Sequence, residues 1–182
     1  ANYETCTTGS HNILSGYGSN TSASDSNDQI VFGQGTTGNE DDSFVIGHGT
    51  TDSAIAFGAT SITAPSDERM KEDIQNSIAG LDFINDLRPV TFRWRMEKDI
   101  SEELISHVPD SEKRFKNEKI NHGFIAQEVK EVIDSHSEIK DGFDMWSEDE
   151  KDGRQRIGSG SLIPMLTKAV QELSAKVEEL EA

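Results

Sequence analysis

The sequence predicts an α+β chain: a glycine-rich β-repeat segment over residues 1–65, then a mixed helix-strand domain over 66–182 whose end, 162–182, is a coiled coil. Three observations carry this expectation. Short apolar runs closed by glycine recur through the first segment. From Ser66 the texture turns charged and helix-prone and holds both Trp residues, Trp94 and Trp146. A heptad seam closes the chain.

The repeats are Asn12-Ile13-Leu14-Ser15-Gly16-Tyr17-Gly18, Gln29-Ile30-Val31-Phe32-Gly33-Gln34-Gly35, Ser43-Phe44-Val45-Ile46-Gly47-His48-Gly49 and Ser53-Ala54-Ile55-Ala56-Phe57-Gly58-Ala59. The apolar runs suit strands and the glycines suit turns of positive φ. The interval between Gly16, Gly33, Gly47 and Gly58 varies while the core pattern stays constant, which implies stacked strands joined by loops of unequal length. Few long aliphatic side chains are available, so a rung cannot close a core alone; it must stack, or wrap with copies of itself. The pattern, Ser53–Gly58 above all, resembles the head and stalk repeats of trimeric adhesins and phage fibres, which implies a β-helix- or β-prism-like homotrimer. His11 and His48 fall at polar loop positions, and the acidic loops 25–28 and 39–42 lack the ligand register of a Ca²⁺ loop and read as solvated turns.

In the second segment, Ile74, Ile78, Leu81, Ile84 and Leu87 follow helical spacing, with an interruption at Gly80, and Arg88-Pro89 ends the helix. Val90-Thr91-Phe92-Arg93-Trp94 alternates as a strand. Residues 97–119 are charged without period and read as an exposed helix-loop insertion. A second amphipathic helix spans 124–133, and 147–161 is a polar connection. Leu166, Val170, Leu173, Val177 and Leu180 then alternate in steps of four and three, the seam of a short coiled coil that needs support from its neighbours.

A net charge of −17 argues against phosphate backbones and anionic membranes as partners. No run approaches the roughly 20 apolar residues of a membrane span, so a soluble chain is expected. Cys6 is the one cysteine, which excludes a disulfide framework and a thiolate cluster. His107, His122 and His136 form no metal-ligand pattern, and no metal or other cofactor is expected.

The seam between the segments carries Pro65-Ser66-Asp67-Glu68-Arg69-Met70-Lys71. Ser66 by itself suits a helix N-cap, with Asp67 and Glu68 complementing the helix dipole. A hydroxyl and an amine also stand five residues apart here, the raw material of a serine nucleophile with a lysine base. On an α-helix such residues diverge by roughly 140° at about 3.6 residues per turn, and on a strand they face opposite sides. A working pair therefore needs a turn, or a neighbouring chain.

Four blocks in order, Ser66–Ile74, Gly80–Ile84 with Leu87–Trp94, His122–Val129 and Leu162–Leu166, resemble the C-terminal intramolecular chaperone domain of phage tailspikes, endosialidases and neck appendages. The resemblance covers about residues 66–182. It implies a domain that trimerises, folds the β-helical fibre ahead of it, and is released by self-cleavage, with Ser66 as nucleophile, Lys71 as general base and Pro65, Ser66 and Asp67 at the cut. Assembly would then take place in the host cytoplasm, leaving the upstream part in the virion. The partners implied are two further copies of the chain and its own upstream fibre. Two departures are visible: the 97–119 stretch is longer than the usual spacer, and the proline that often follows the Ala126-Gln127-Glu128-Val129 block is missing. Arg69 would support the amine if it pointed there, Asp67 and Glu68 would oppose it, and Gln127 is a candidate oxyanion donor. The alternative reading is a non-cleaving trimerisation module or fibre tip.

Overall fold

The computed structural model describes residues 6–140 and 143–182. It divides into two compact units, Ala1–Ile74 and Gln75–Ala182. The α+β expectation holds: the described residues form eight short strands, the first four consecutive, and three α-helices.

In the first unit, β1 (Ile13–Ser15), β2 (Gln29–Phe32) and β3 (Ser43–His48) pair in parallel, and β4 (Thr51–Ala56) returns antiparallel to β3. The register stacks like on like. Leu14 pairs with Val31, Val31 with Val45, and Val45 with Ala54, a buried apolar column one residue wide per strand. The residues to either side of that column point outward, leaving Ile13, Phe32 and Ile46 exposed. Much of the remaining interior is polar and hydrogen-bonded. Gln29 is fully buried, receives the Ser22 N–H at 3.1 Å and donates to Ser22 Oγ at 2.6 Å.

The repeated glycines are a steric requirement for the stack. Gly16 and Gly33 adopt φ of 141° and 135°, and a Cβ on Gly33 would lie 1.8 Å from the Gly47 carbonyl oxygen. Gly58 ends the fourth repeat outside this ladder, where an added Cβ would meet nothing within 4 Å. A second periodic feature accompanies the glycines: His11, Asp28 and Asp42, each just before a repeat, are left-handed at φ of 60°, 53° and 53°. The acidic loops are hydrogen-bonding turns, in which Asp41 Oδ1 accepts the Asn27 N–H at 2.8 Å.

In the second unit, α1 (Leu81–Asp86), α2 (Ala126–Ser135) and α3 (Leu162–Glu181) enclose Ala79, Phe83, Leu87, Val129, Ile133, Met145 and Leu162. The helix expected from Ile74 to Leu87 shrinks to α1, and Ile74 and Ile78 are exposed. The physical reason lies at Gly80, the N-cap of α1, which is buried against α3: a Cβ there would meet Glu172 Oε2 at 2.6 Å. The cap itself comes from a distance, since the Leu81 N–H donates to Glu172 Oε2 at 2.8 Å. That bond is the main cause holding the Glu172 carboxyl below its ordinary range.

The 90–94 strand is realised as β5 (Val90–Phe92), paired antiparallel with β6 (Asn121–Gly123). The 97–119 insertion forms a single 3₁₀ turn over Glu97–Asp99 and no α-helix. Trp94 anchors it, stacked edge-on with Phe92 and Phe115. The polar connection 147–161 is mostly a hairpin, β7 (Trp146–Glu148) with β8 (Gln155–Ile157). Asp149 braces its turn by accepting from Arg156 and Arg154, which hold its carboxyl down at about 2. Trp146 lies against the core and donates to Gln155 Oε1 at 3.0 Å. No helix among the described residues is long and apolar enough to cross a membrane.

Two outcomes follow from these contacts. Gly33→Ala destabilises the first unit by more than about 3 kcal/mol, because its Cβ meets backbone. Gly49→Ala, at φ 60° with nothing within 4 Å, costs only about 1–2 kcal/mol; thermal melts followed by circular dichroism compare the two.

His136, half-buried at the end of α2, contacts Asp86 Oδ2 of α1 at 2.9 Å and Glu138 Oε1 at 3.0 Å. The bond to Asp86, then that to Glu138, raises its pKa above the ordinary histidine value. A raised folded-state pKa makes the stabilisation complete below the unfolded value and removes it as pH rises through the folded one. The melting temperature of the wild type therefore falls as pH rises from the ordinary histidine range upward, more steeply than that of His136→Gln.

Candidate functional site

The stretch from Pro65 to Ile74 is exposed throughout, so its shape comes from local hydrogen bonding and not from packing. Asp67 is extended (φ −69°, ψ 136°) and caps a single 3₁₀ turn, Glu68–Met70, by accepting the Arg69 N–H at 2.9 Å. The Met70 N–H donates to the Asp67 carbonyl at 3.1 Å, and the Lys71 N–H to the Glu68 carbonyl at 3.0 Å. Lys71 then leaves the turn extended. The capping role that Ser66 suits in sequence thus falls to Asp67, and the helix it was to open is one turn long.

That turn answers the geometric objection to a pair five residues apart. Between two extended residues it reverses the chain enough for Lys71 Nζ to reach Ser66 Oγ at 2.7 Å. Neither an α-helix nor a strand allows this contact. Lysine and hydroxyl meet within one chain and within one compact unit.

The electrostatics around the contact differ from expectation at Arg69. Its guanidinium is committed to Asp67, with Nε donating to Oδ1 at 2.9 Å and Nη2 to Oδ2 at 2.6 Å. This bond is the largest of the causes holding the Asp67 carboxyl below the usual carboxylate range; the field of Lys71 contributes least. Arg69 therefore engages Asp67 and does not point at the amine. Gln127 stands in the second unit, exposed at the second position of α2.

An ammonium has three donors and no acceptor. With Lys71 charged, the 2.7 Å contact is a resting arrangement in which the amine donates to the hydroxyl. Reversing that bond, so that the hydroxyl donates to a neutral amine, converts the pair to nucleophile and base. A lysine is neutralised most readily by desolvation or by nearby positive charge. Among the described residues no three His, Cys, Asp or Glu side chains converge as a metal site requires.

A second candidate site lies on α3. Leu162 and Ala169 are buried, and Met165 packs against the core, on one side of the helix. Leu166, Val170, Leu173, Val177 and Leu180 form a separate stripe, all at least 45% exposed, so the core of the second unit does not use them.

Against known proteins, residues 66–138 match the family model described as chaperone of endosialidase, within the peptidase S74 group. The match begins at Ser66, the residue whose hydroxyl the turn brings to Lys71. No curated protein and no solved structure matches the chain.

Proposed function

We propose, from the premise that residues 66–138 form a chaperone-of-endosialidase domain, that this chain is an intramolecular chaperone which assembles as a trimer and cuts itself once beside Ser66. The observation that carries the cleavage reading is the 2.7 Å contact between Ser66 Oγ and Lys71 Nζ.

The chemistry needs no cofactor. Neutral Lys71 takes the Ser66 proton as Oγ attacks the Pro65 carbonyl carbon. The resulting ammonium returns a proton to the Ser66 nitrogen, the C–N bond breaks, and Pro65 is left as an ester on Oγ. Water, deprotonated by Lys71, splits the ester to a Pro65 carboxylate and restores the serine hydroxyl at a new N-terminus. Backbone N–H groups would steady the oxyanion.

Assembly supplies what the single chain lacks. Ser66 and Lys71 are both exposed, and burial between copies would desolvate the amine and favour its neutral form. Two apolar surfaces fit that role. One is the α3 stripe from Leu166 to Leu180, a coiled-coil seam. The other is the outward side of the strand stack at Ile13, Phe32 and Ile46. The stack holds a single narrow apolar column, which favours a fibre end completed by neighbouring chains. Cutting after assembly would leave the fibre as a kinetically trapped trimer.

Intact mass of purified protein over hours tests this reading, with Ser66→Ala, Lys71→Ala and Leu173→Asp in parallel. Wild type yields two fragments that meet at Pro65–Ser66, and the three variants stay whole. A wild type that stays whole as a folded trimer would make the chain a trimerisation module without peptidase activity.

A further inference from the structure

We propose that Arg69 and Asp67 are positioning residues for the Ser66–Lys71 pair: Arg69 grips the Asp67 carboxylate, which folds the turn and keeps that negative charge from pairing with the lysine. The proposal deepens the self-cleavage reading and rests on it for its catalytic consequence.

A carboxylate beside the serine has two cations within its own turn. If it paired with Lys71 it would favour the ammonium, the wrong protonation state for a base. The structure gives both carboxylate oxygens to Arg69 instead, at 2.9 and 2.6 Å. Oδ1 also accepts the Arg69 backbone N–H, so main chain and side chain of one residue fix the same group. The planar guanidinium fork suits this two-point grip, which an ammonium cannot reproduce. The field of Lys71 is the smallest of the causes that hold the carboxylate below its usual range. The other carboxylates of the segment, Glu68, Glu72 and Asp73, are exposed.

Magnitude decides where the effect appears. The Arg69 side chain is 88% exposed, and exposed ion pairs contribute little to fold stability. The pair's consequence is therefore local: the shape of one turn and the charge seen by one amine. Neither aliphatic periodicity nor the usual helical pair spacings point to it.

The test uses the full chain carrying Ser66→Ala, with ¹³C-labelled lysine, and follows the Lys71 Cε signal against pH by NMR. Adding Arg69→Gln frees Asp67 and moves the Lys71 titration midpoint up by roughly half a pH unit. Adding Asp67→Asn leaves the Arg69 cation unpaired nearby and moves it down by a similar amount. With Ser66 intact, the acid limb of the cleavage-rate profile shifts in the same two directions, while melting temperatures stay close to the parent's. Arg69→Lys keeps a cation but loses the fork, and falls between parent and Arg69→Gln. An unchanged Lys71 midpoint in both variants overturns the proposal, whether or not the chain cleaves. Absence of cleavage in the wild type, with the midpoints shifting as expected, would sink the peptidase reading and leave the charge arrangement standing.

Discussion

Protonated lysine cannot accept the proton of a serine, and the rest of the account depends on that constraint. The short turn over Glu68–Met70 solves the geometric half of the problem by bringing Lys71 to Ser66. It leaves the electrostatic half open, because both side chains stand in solvent. On the proposed reading the pair is aligned but idle until neighbouring chains exclude water from it. The proposed coupling of cleavage to assembly would then need no moving part beyond the approach of neighbouring chains.

Each unit leaves an apolar surface that the proposed assembly would use. In the strand stack the narrow column of Leu14, Val31 and Val45 takes the inward positions, and the outward ones carry Ile13, Phe32 and Ile46. In the second unit, α3 spends Leu162 and Ala169 on its own core and holds a second stripe in reserve. One helix thus joins the folding of its own unit to a surface of the kind that coiled coils bury. The Glu172 bond to Leu81 ties that helix to the start of α1, so disturbance of α3 would be felt at α1.

Patterns with a short period were legible in the sequence. The repeats placed β1, β2 and β3 and explained their glycines, and the apolar spacing placed α2 to within two residues at either end. Features that rest on distant partners were not legible. Ile74 and Ile78 keep helical spacing, yet α1 begins only at Leu81, where Glu172 supplies a cap. The β7–β8 hairpin lacks an apolar signal, because the charges of Asp149, Arg154 and Arg156 brace its turn. At the candidate site the residues Ser66 and Lys71 came from the family resemblance. Their contact came from a 3₁₀ turn that no periodicity announces, and the Asp67–Arg69 grip from an i, i+2 spacing that helical rules ignore.

The central claim is that serine and lysine of the same chain act on each other within an assembled trimer. Refolding Ser66→Ala chains together with Lys71→Ala chains, beside wild type alone, tests it most directly by intact mass. The account predicts fragments from wild type and none from the mixture, because no single chain there holds both groups. Fragments of the Lys71→Ala chain in the mixture would mean that lysine is supplied by a neighbour, and would contradict it.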